Sequence, residues 1–313
     1  MQLVRKSSYL EMASDKDNVL LQFDGLEFES NTLRGAKRIA NTIVVHAVDH
    51  ERDEEVGIPI SQYNLNYVFQ PRDPRDKLFK NILGDPIDPD KLPASVDLRN
   101  KWGTIFDQGA LGSCVSNTTL GCIRYCMNKD RGENWNPSRL YNYYYGRLLE
   151  GFPINEDTGL YIRSGYKSVA NYSVCAERNW QYVEKRFNVE PSQYARNAAA
   201  QHKTFTYLAI EHDLNQVKKC LADGYPISFG CALYSSFMTA AVARNGIVPY
   251  PDVTRERVLG GHAMTIVGYE GEDFIIANSW GKRWGTDGYC KIPQSYILDI
   301  KFSGDFFTAR VFT

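Results

Sequence analysis

The spacing of apolar positions changes twice along the chain. In the first sixty residues, short apolar runs are broken by polar ones. Val19–Phe23 and Thr42–Val48 read as strands, and Thr32–Ala40 as a short helix between them. Residues 70–93, QPRDPRDKLFKNILGDPIDPDKLP, have no period at all. Five prolines and a dense mixture of both charge signs predict an extended connector with little secondary structure. The character changes at Leu92–Pro93, which divides the chain into an N-terminal extension, residues 1–92, and a main domain, residues 93–313. Beyond that point the spacing is helical. Ser113–Asn128 carries Val115, Leu120, Ile123 and Met127 on one stripe, and Pro137–Glu150 is rich in tyrosine and stops at Gly151. Tyr161–Tyr172 and Leu214–Ala222 are further helices. From Pro226 the runs are those of strands: PISFGCAL, then HAMTIVGY, then DFIIANSW. A helical half followed by a β half predicts an α+β fold with two lobes, and the interface between lobes is a common home for an active site.

Composition narrows the partners. Lys and Arg number 36 against 37 Asp and Glu, and the basic residues are scattered. Nucleic acid and membrane surfaces are therefore not expected partners, since both select a basic face. The first residues lack the apolar core of a secretory signal, and no run approaches the length of a membrane span. The expected location is intracellular: cytoplasmic, or packaged in a virion if the source is viral. Seven cysteines is an odd number, so at least one thiol has no partner within the chain. There is no CxxC pair, Cys122 and Cys126 have no nearby His or Cys to complete a metal site, and Asp85–Asp90 lacks calcium-loop spacing. No metal and no cofactor is expected.

Three segments carry chemistry. In Asp107–Cys114 a glycine-rich turn runs into a helix whose first turn holds a cysteine. Unpaired N–H groups and a partial positive charge at a helix start favour the thiolate, the nucleophilic form. Gly260-Gly261-His262 opens an apolar strand, and Asn278-Ser279-Trp280-Gly281 closes the next. A turn at Glu270–Asp273 joins these strands as a hairpin, which brings His262 and Asn278 to one open end with equal parity. Cys114, His262 and Asn278 then form a nucleophile, a base and an orienting group. The other histidines, His46, His50, His202 and His212, lack such surroundings.

QGALGSC, GGHAMTIVGYE and IIANSWGKRWGTDGY resemble the three signature blocks of the papain-like cysteine proteases, in the same order and with the same six-residue step from Gln108 to Cys114. The resemblance covers roughly residues 93–313. LGSCVSNT, RLYNYYYGRLLEG and LGGHAM look closer to the bacterial and large-virus branch than to secreted cathepsins. The resemblance implies a two-lobed fold, with a helical left lobe and an antiparallel, barrel-like right lobe. It also implies a cysteine endopeptidase acting on protein or peptide substrates. Cys114 would be the nucleophile, His262 its ion-pair partner and proton donor, and Asn278 the acceptor that orients the imidazole, with Trp280 shielding that bond. Gln108 and the Cys114 N–H would hold the oxyanion. Gly159 and Leu160 fall where the family backbone pairs with substrate, and Ile162 and Gly230 where side chains line the main specificity pocket.

The departures are informative. Leu111 stands where the family has a second cysteine, and the partner of that cysteine would fall near Asp157, so both halves of one disulfide are missing. Val115 replaces the usual aromatic residue after the nucleophile. The family's pro-region motif is not recognisable in residues 1–90. The extension is nonetheless expected to inhibit in cis, as a propeptide that crosses the cleft against the substrate direction and is cut within residues 70–93. A permanent accessory region is the rival. Two other activities fit the same triad: a thiol acyltransferase or ligase, and a catalytically silent binding protein.

Overall fold

The computed structural model describes residues 63–200 and 205–311, together with the backbone of three hairpins in the first 44 residues. The hairpins pair β1 (Gln2–Lys6) with β2 (Tyr9–Ala13), β3 (Leu21–Phe23) with β4 (Leu26–Phe28), and β5 (Lys37–Ile39) with β6 (Thr42–Val44). Lys37–Ile39 is thus a strand and not the end of a helix over Thr32–Ala40. Its ladder partner lies only a few residues on, and pairing outweighs a weak helical spacing. The remainder of that segment, the rest of Thr42–Val48, and His46, His50 and His202 lie outside the described residues.

The main domain begins with β7 (Ser95–Asp97) and α1 (Arg99–Trp102), followed by the central helix α2 (Cys114–Arg131). Its opening run CVSNTT is poor in helix formers. Tertiary burial supplies what propensity lacks, since every residue from Cys114 to Met127 is buried. Gly132, in the left-handed conformation at φ 68°, ends the helix. Helix α3 (Arg139–Leu149) starts on the Ser138 hydroxyl, and α4 (Ile162–Tyr172) packs against both α2 and α3. These three helices form the first lobe.

After α5 (Gln193–Ala199) the second lobe contributes β8 (Phe205–Ala209), α6 (Leu214–Ala222), β9 (Ile227–Tyr234), α7 (Ala240–Asn245), β10 (Val258–Glu270), β11 (Asp273–Ala277), β12 (Tyr289–Pro293), α8 (Gln294–Ile297) and β13 (Ser303–Val311). The sheet is antiparallel in the order β12-β11-β10-β9-β13-β8, and β7 also pairs with β10. β9 is buried at every position, which accounts for its mostly apolar sequence. β10 is the organising strand. Register shifts near its start and at Ile266/Gly268 let its first half pair with β9 and its second half with β7 and β11. The lobes meet where α2 lies on β10 and β13, with a Thr118–Thr265 hydroxyl hydrogen bond of 2.8 Å between them. The architecture is α+β and two-lobed, and among the described residues no helix is long and apolar enough to cross a membrane.

The segment ahead of β7 is built into this body. Phe79 is buried in the core, Leu78 bridges to Ala209, and the Ala209 N–H donates to Lys77 O at 2.8 Å. Arg163 of α4 is nearly fully buried and holds Asp76 at 2.8 Å and the Pro71 carbonyl at 3.1 Å. Removing one partner of a buried ion pair leaves an uncompensated charge. Asp76→Ala is therefore expected to lower the unfolding free energy by about 3 kcal/mol, and Asp76→Asn by less. Denaturant titration of the full chain checks this, and equal stability of Asp76→Ala and parent would contradict it.

Candidate active site

Cys114, His262, Asn278 and Gln108 converge at the junction of the lobes. Cys114 is the first residue of α2 and is wholly buried. The N–H of Ala263, the residue after His262, lies within hydrogen-bonding reach of its sulfur. On β10, His262 pairs with Cys231 of β9, and its Nε2 meets Asn278 Oδ1 at 2.8 Å. The Ser279 N–H donates to that same Oδ1 at 2.8 Å. The oxygen is thereby fixed as an acceptor, so His262 carries its proton on Nε2. This leaves Nδ1 as the basic nitrogen, buried and without a hydrogen-bond partner among the described residues. Trp280 covers the imidazole, ring centroids 4.8 Å apart.

Ser279 also determines how Gln108 faces. Its hydroxyl donates to Gln108 Oε1 at 2.7 Å, which directs Gln108 Nε2 the other way, toward Leu111 O at 3.0 Å and Asn64 O at 3.4 Å. The Gln108 N–H returns to Ser279 O at 2.9 Å. Sequence reasoning missed this residue because its side chain has no chemistry of its own in the ANSWG block.

The cleft is filled by residues 63–70, which cross it as a strap. The Tyr63 ring stacks on Trp280, centroids 4.8 Å apart, and its hydroxyl donates to Trp280 O. Asn64 donates its side-chain amide to Ala110 O at 2.7 Å and to Asp157 Oδ2 at 3.1 Å. Asn66 forms a parallel bridge to Gly261, and the Tyr67 N–H donates to Gly261 O at 3.0 Å. A Cβ on Gly159 would lie 2.1 Å from Asn66 O, and one on Gly230 would lie 1.7 Å from the Tyr67 ring. Glycine at these two positions is what lets the strap in. Tyr67 is buried in the pocket beside Gly230, where its hydroxyl donates to Asp305 Oδ2 at 2.7 Å. The Gln70 N–H donates to the same oxygen at 2.8 Å.

Gly159, Gly230 and Trp280 therefore face the strap directly. Leu160 differs: its side chain packs against Gly146 of α3. Ile162 is fully buried at the start of α4. Asp157 and Asp305 were not singled out as cleft residues, since neither belongs to a local motif. All seven cysteines are free and buried.

Electrostatically this is a covered site. Burial pushes the Cys114 thiol up to about 12, and the N–H groups of Ala263 and Val115 draw it back only in part. Burial lowers His262 to about 4, against the pull of its bond to Asn278. The pair rests as neutral thiol and neutral imidazole beneath the strap.

The family model for papain family cysteine proteases matches residues 92–301. The chain belongs to the papain family. It is a cysteine peptidase, a hydrolase. An uncharacterised peptidase C1-like protein of Acanthamoeba polyphaga mimivirus is 35% identical over 275 residues, covering 80% of this chain and 88% of that one. The solved structure of xylellain, a cysteine protease from Xylella fastidiosa, matches at 31% identity with a TM-score of 0.71, covering 79% of this chain and 96% of that one. A digestive procathepsin L 3 from Tenebrio molitor larval midgut shares the fold at 19% identity and a TM-score of 0.57, covering 76% of each chain.

Burial pushes Asp305 up to about 6 from its usual 3.8, while the bonds from Tyr67 and Gln70 pull the other way. Between those two pH values the folded chain holds a proton that the unfolded chain has released. The cost of burying the carboxylate is absent below about pH 4, grows as pH rises to 6, and levels at on the order of 3 kcal/mol. Asp305→Asn keeps an acceptor oxygen without that cost. Thermal unfolding from pH 4 to 7 is expected to show the parent losing stability relative to this variant, and a pH-independent difference would contradict it.

Proposed function

We propose that this papain-family peptidase hydrolyses peptide bonds through Cys114, His262, Asn278 and Gln108, and that the strap within residues 1–92 keeps it inactive until displaced. The observation that carries the reading is the occupied cleft. Tyr63 lies on Trp280, Asn64 O takes the Gln108 amide, and Tyr67 fills the pocket at Gly230. Gln108, Gly159, Gly230 and Trp280, which a substrate would meet on the family pattern, are already in contact with the chain's own residues 63–67. The strap runs from the Trp280 end toward Gly230, against the direction that the resemblance implies for substrate. Residues 93–313 form the peptidase domain in this reading.

Displacing the strap readmits water and frees Gln108 Nε2. Proton transfer from Cys114 to His262 Nδ1 then becomes favourable, because both charged forms regain solvation. The thiolate attacks the scissile carbonyl, and the Cys114 N–H and Gln108 Nε2 donate to the oxyanion that forms. His262 gives its proton to the leaving amine, and the acyl-enzyme is resolved by water that His262 deprotonates. Asn278 keeps the imidazole in the tautomer that both steps need.

Cleavage would fall between residues 84 and 92, a mostly exposed stretch beyond the anchored Asp76 and Phe79. Incubating the full chain across pH and sequencing the new N-terminus tests this, and a fully active, uncleaved chain would refute it. An irreversible epoxide is expected to label Cys114 slowly in the full chain. Labelling of Tyr67→Ala should be at least tenfold faster, because the strap loses its pocket anchor. Equal rates would remove the inhibitory role. Cys114→Ala is expected to abolish turnover of a peptide substrate while leaving the circular dichroism spectrum intact, and residual turnover near the parent rate would refute the assignment.

A further inference from the structure

Asp157 touches no reacting group in the mechanism above, yet several segments of the cleft meet on its carboxylate. Oδ2 accepts the Gly112 N–H at 2.8 Å and the Asn64 amide at 3.1 Å. Oδ1 accepts the Tyr143 hydroxyl, and that hydroxyl accepts the Gly159 N–H at 3.0 Å. Tyr143 lies fully buried in α3 and Asp157 is half-buried, so the arrangement is held from beneath the cleft.

The Gly112 N–H belongs to the same peptide group as the Leu111 carbonyl, and that carbonyl receives Gln108 Nε2 at 3.0 Å. A peptide group is planar, so its N–H and C=O move together. With Asp157 on one side of the Leu111–Gly112 peptide and the Gln108 amide on the other, the carboxylate sets where the Gln108 donor sits. The Leu111 carbonyl also receives the Ser113 N–H at 2.7 Å, one residue before Cys114. The loop between Gln108 and Cys114 contains Gly109 in the left-handed region, and its path depends on such anchors. This is also the neighbourhood in which the chain lacks the family's disulfide.

We propose that Asp157 is a positioning residue for the proposed reaction. Through the Leu111–Gly112 peptide it holds Gln108 in place, and through Tyr143 it holds the Gly159 backbone against which substrate lies. The inference rests on the roles assigned above to Cys114, Gln108 and Gly159. Its two arms carry different kinetic signatures. The Gly112 arm acts on oxyanion stabilisation and so on kcat. The Tyr143 arm acts on the substrate-pairing backbone and so on KM. The bond to Asn64 means that the strap, while seated, uses the same anchor.

The test uses the full chain incubated until turnover of a peptide substrate is maximal. Displacing an oxyanion donor by about 1 Å costs up to ~10²-fold in rate. Asp157→Ala is expected to lower kcat by about 10- to 100-fold. Asp157→Asn retains an oxygen for the Gly112 N–H and is expected to restore kcat to within about threefold of the parent. Tyr143→Phe keeps the ring and removes the hydroxyl, and is expected to raise KM more than it lowers kcat. A kcat for Asp157→Ala within twofold of the parent overturns the proposal, and so does an Asp157→Asn variant as slow as Asp157→Ala. Should Asp157→Ala not fold, Tyr143→Phe with an unchanged KM overturns it. If the parent neither turns over nor is labelled at Cys114, the catalytic reading itself has failed, an outcome separate from any effect of Asp157.

Discussion

The cleft depends on one serine. Ser279 donates its N–H to Asn278 and its hydroxyl to Gln108, and accepts the Gln108 N–H on its own carbonyl. Asn278 and Ser279 follow directly from β11 in the sheet lobe, whereas Gln108 lies on the loop that enters α2 in the helical lobe. The two bonds to Gln108 therefore join the lobes, and with the bond to Asn278 they fix two side-chain amides, each of which has a chemically wrong orientation available by a half-turn. With Asn278 Oδ1 committed as an acceptor, the imidazole tautomer follows. With Gln108 Oε1 committed, Nε2 is the atom presented to the cleft. The geometry of the candidate site and the closure of the lobes are thus one constraint seen from two sides.

Covering this geometry changes its chemistry. A thiol and an imidazole in water are close to exchanging a proton. Under the strap, burial drives the two pKa values apart, to about 12 and about 4. The neutral pair is then strongly favoured, because neither ion has solvent to stabilise it. The strap also takes up the Gln108 amide and lies against the backbone at Gly159 and Gly261. In the proposed inhibitory role, steric occupation and electrostatic silencing would arise together, since excluding water is enough to produce the second once the first is in place.

What the sequence revealed was set by distance along the chain. Cys114, His262, Asn278 and Gln108 each sit beside a local signal: a glycine-rich helix entry, a strand start, a strand end. A hairpin of known turn brought two of them together. Helix α6 was legible because burial at Val217, Cys220 and Leu221 repeats with the helical period, and β9 and β10 because strands buried on both faces read as apolar runs. The strap was not, since Tyr63–Gln70 has no period and its partners Gly159, Gly230 and Asp305 lie far along the chain. Asp305 is read only from the fold, where it sits at φ 55° under Tyr67. Leu160 shows a different limit. Its backbone neighbours a cleft glycine, but the side chain turns into α3, and spacing alone does not separate the two. The helix expected over Thr32–Ala40 gives way to a strand at Lys37–Ile39, because pairing with Thr42–Val44 outweighs a weak helical spacing.

The loops that carry the site are tied without disulfides. Arg147 is fully buried, and its guanidinium donates to the carbonyls of Tyr143, Ile154, Glu156 and Phe187. Arg124 does the same for Trp102 and Thr104, each at 2.8 Å, and Arg163 holds Asp76 and Pro71. Irregular backbone that turns inward leaves carbonyls that must find donors, and a guanidinium offers five in a rigid fork. Burial has a cost, visible in Arg124 falling to about 10. In return Arg124 and Arg147 each fix several carbonyls at once, which one cystine cannot do. Arg147 grips the loop at residues 154 and 156, immediately before Asp157 and Gly159. The polar contacts that shape the cleft therefore rest on a buried cation, and a chain with only free thiols can hold its active-site loops as firmly as its hydrogen bonds allow.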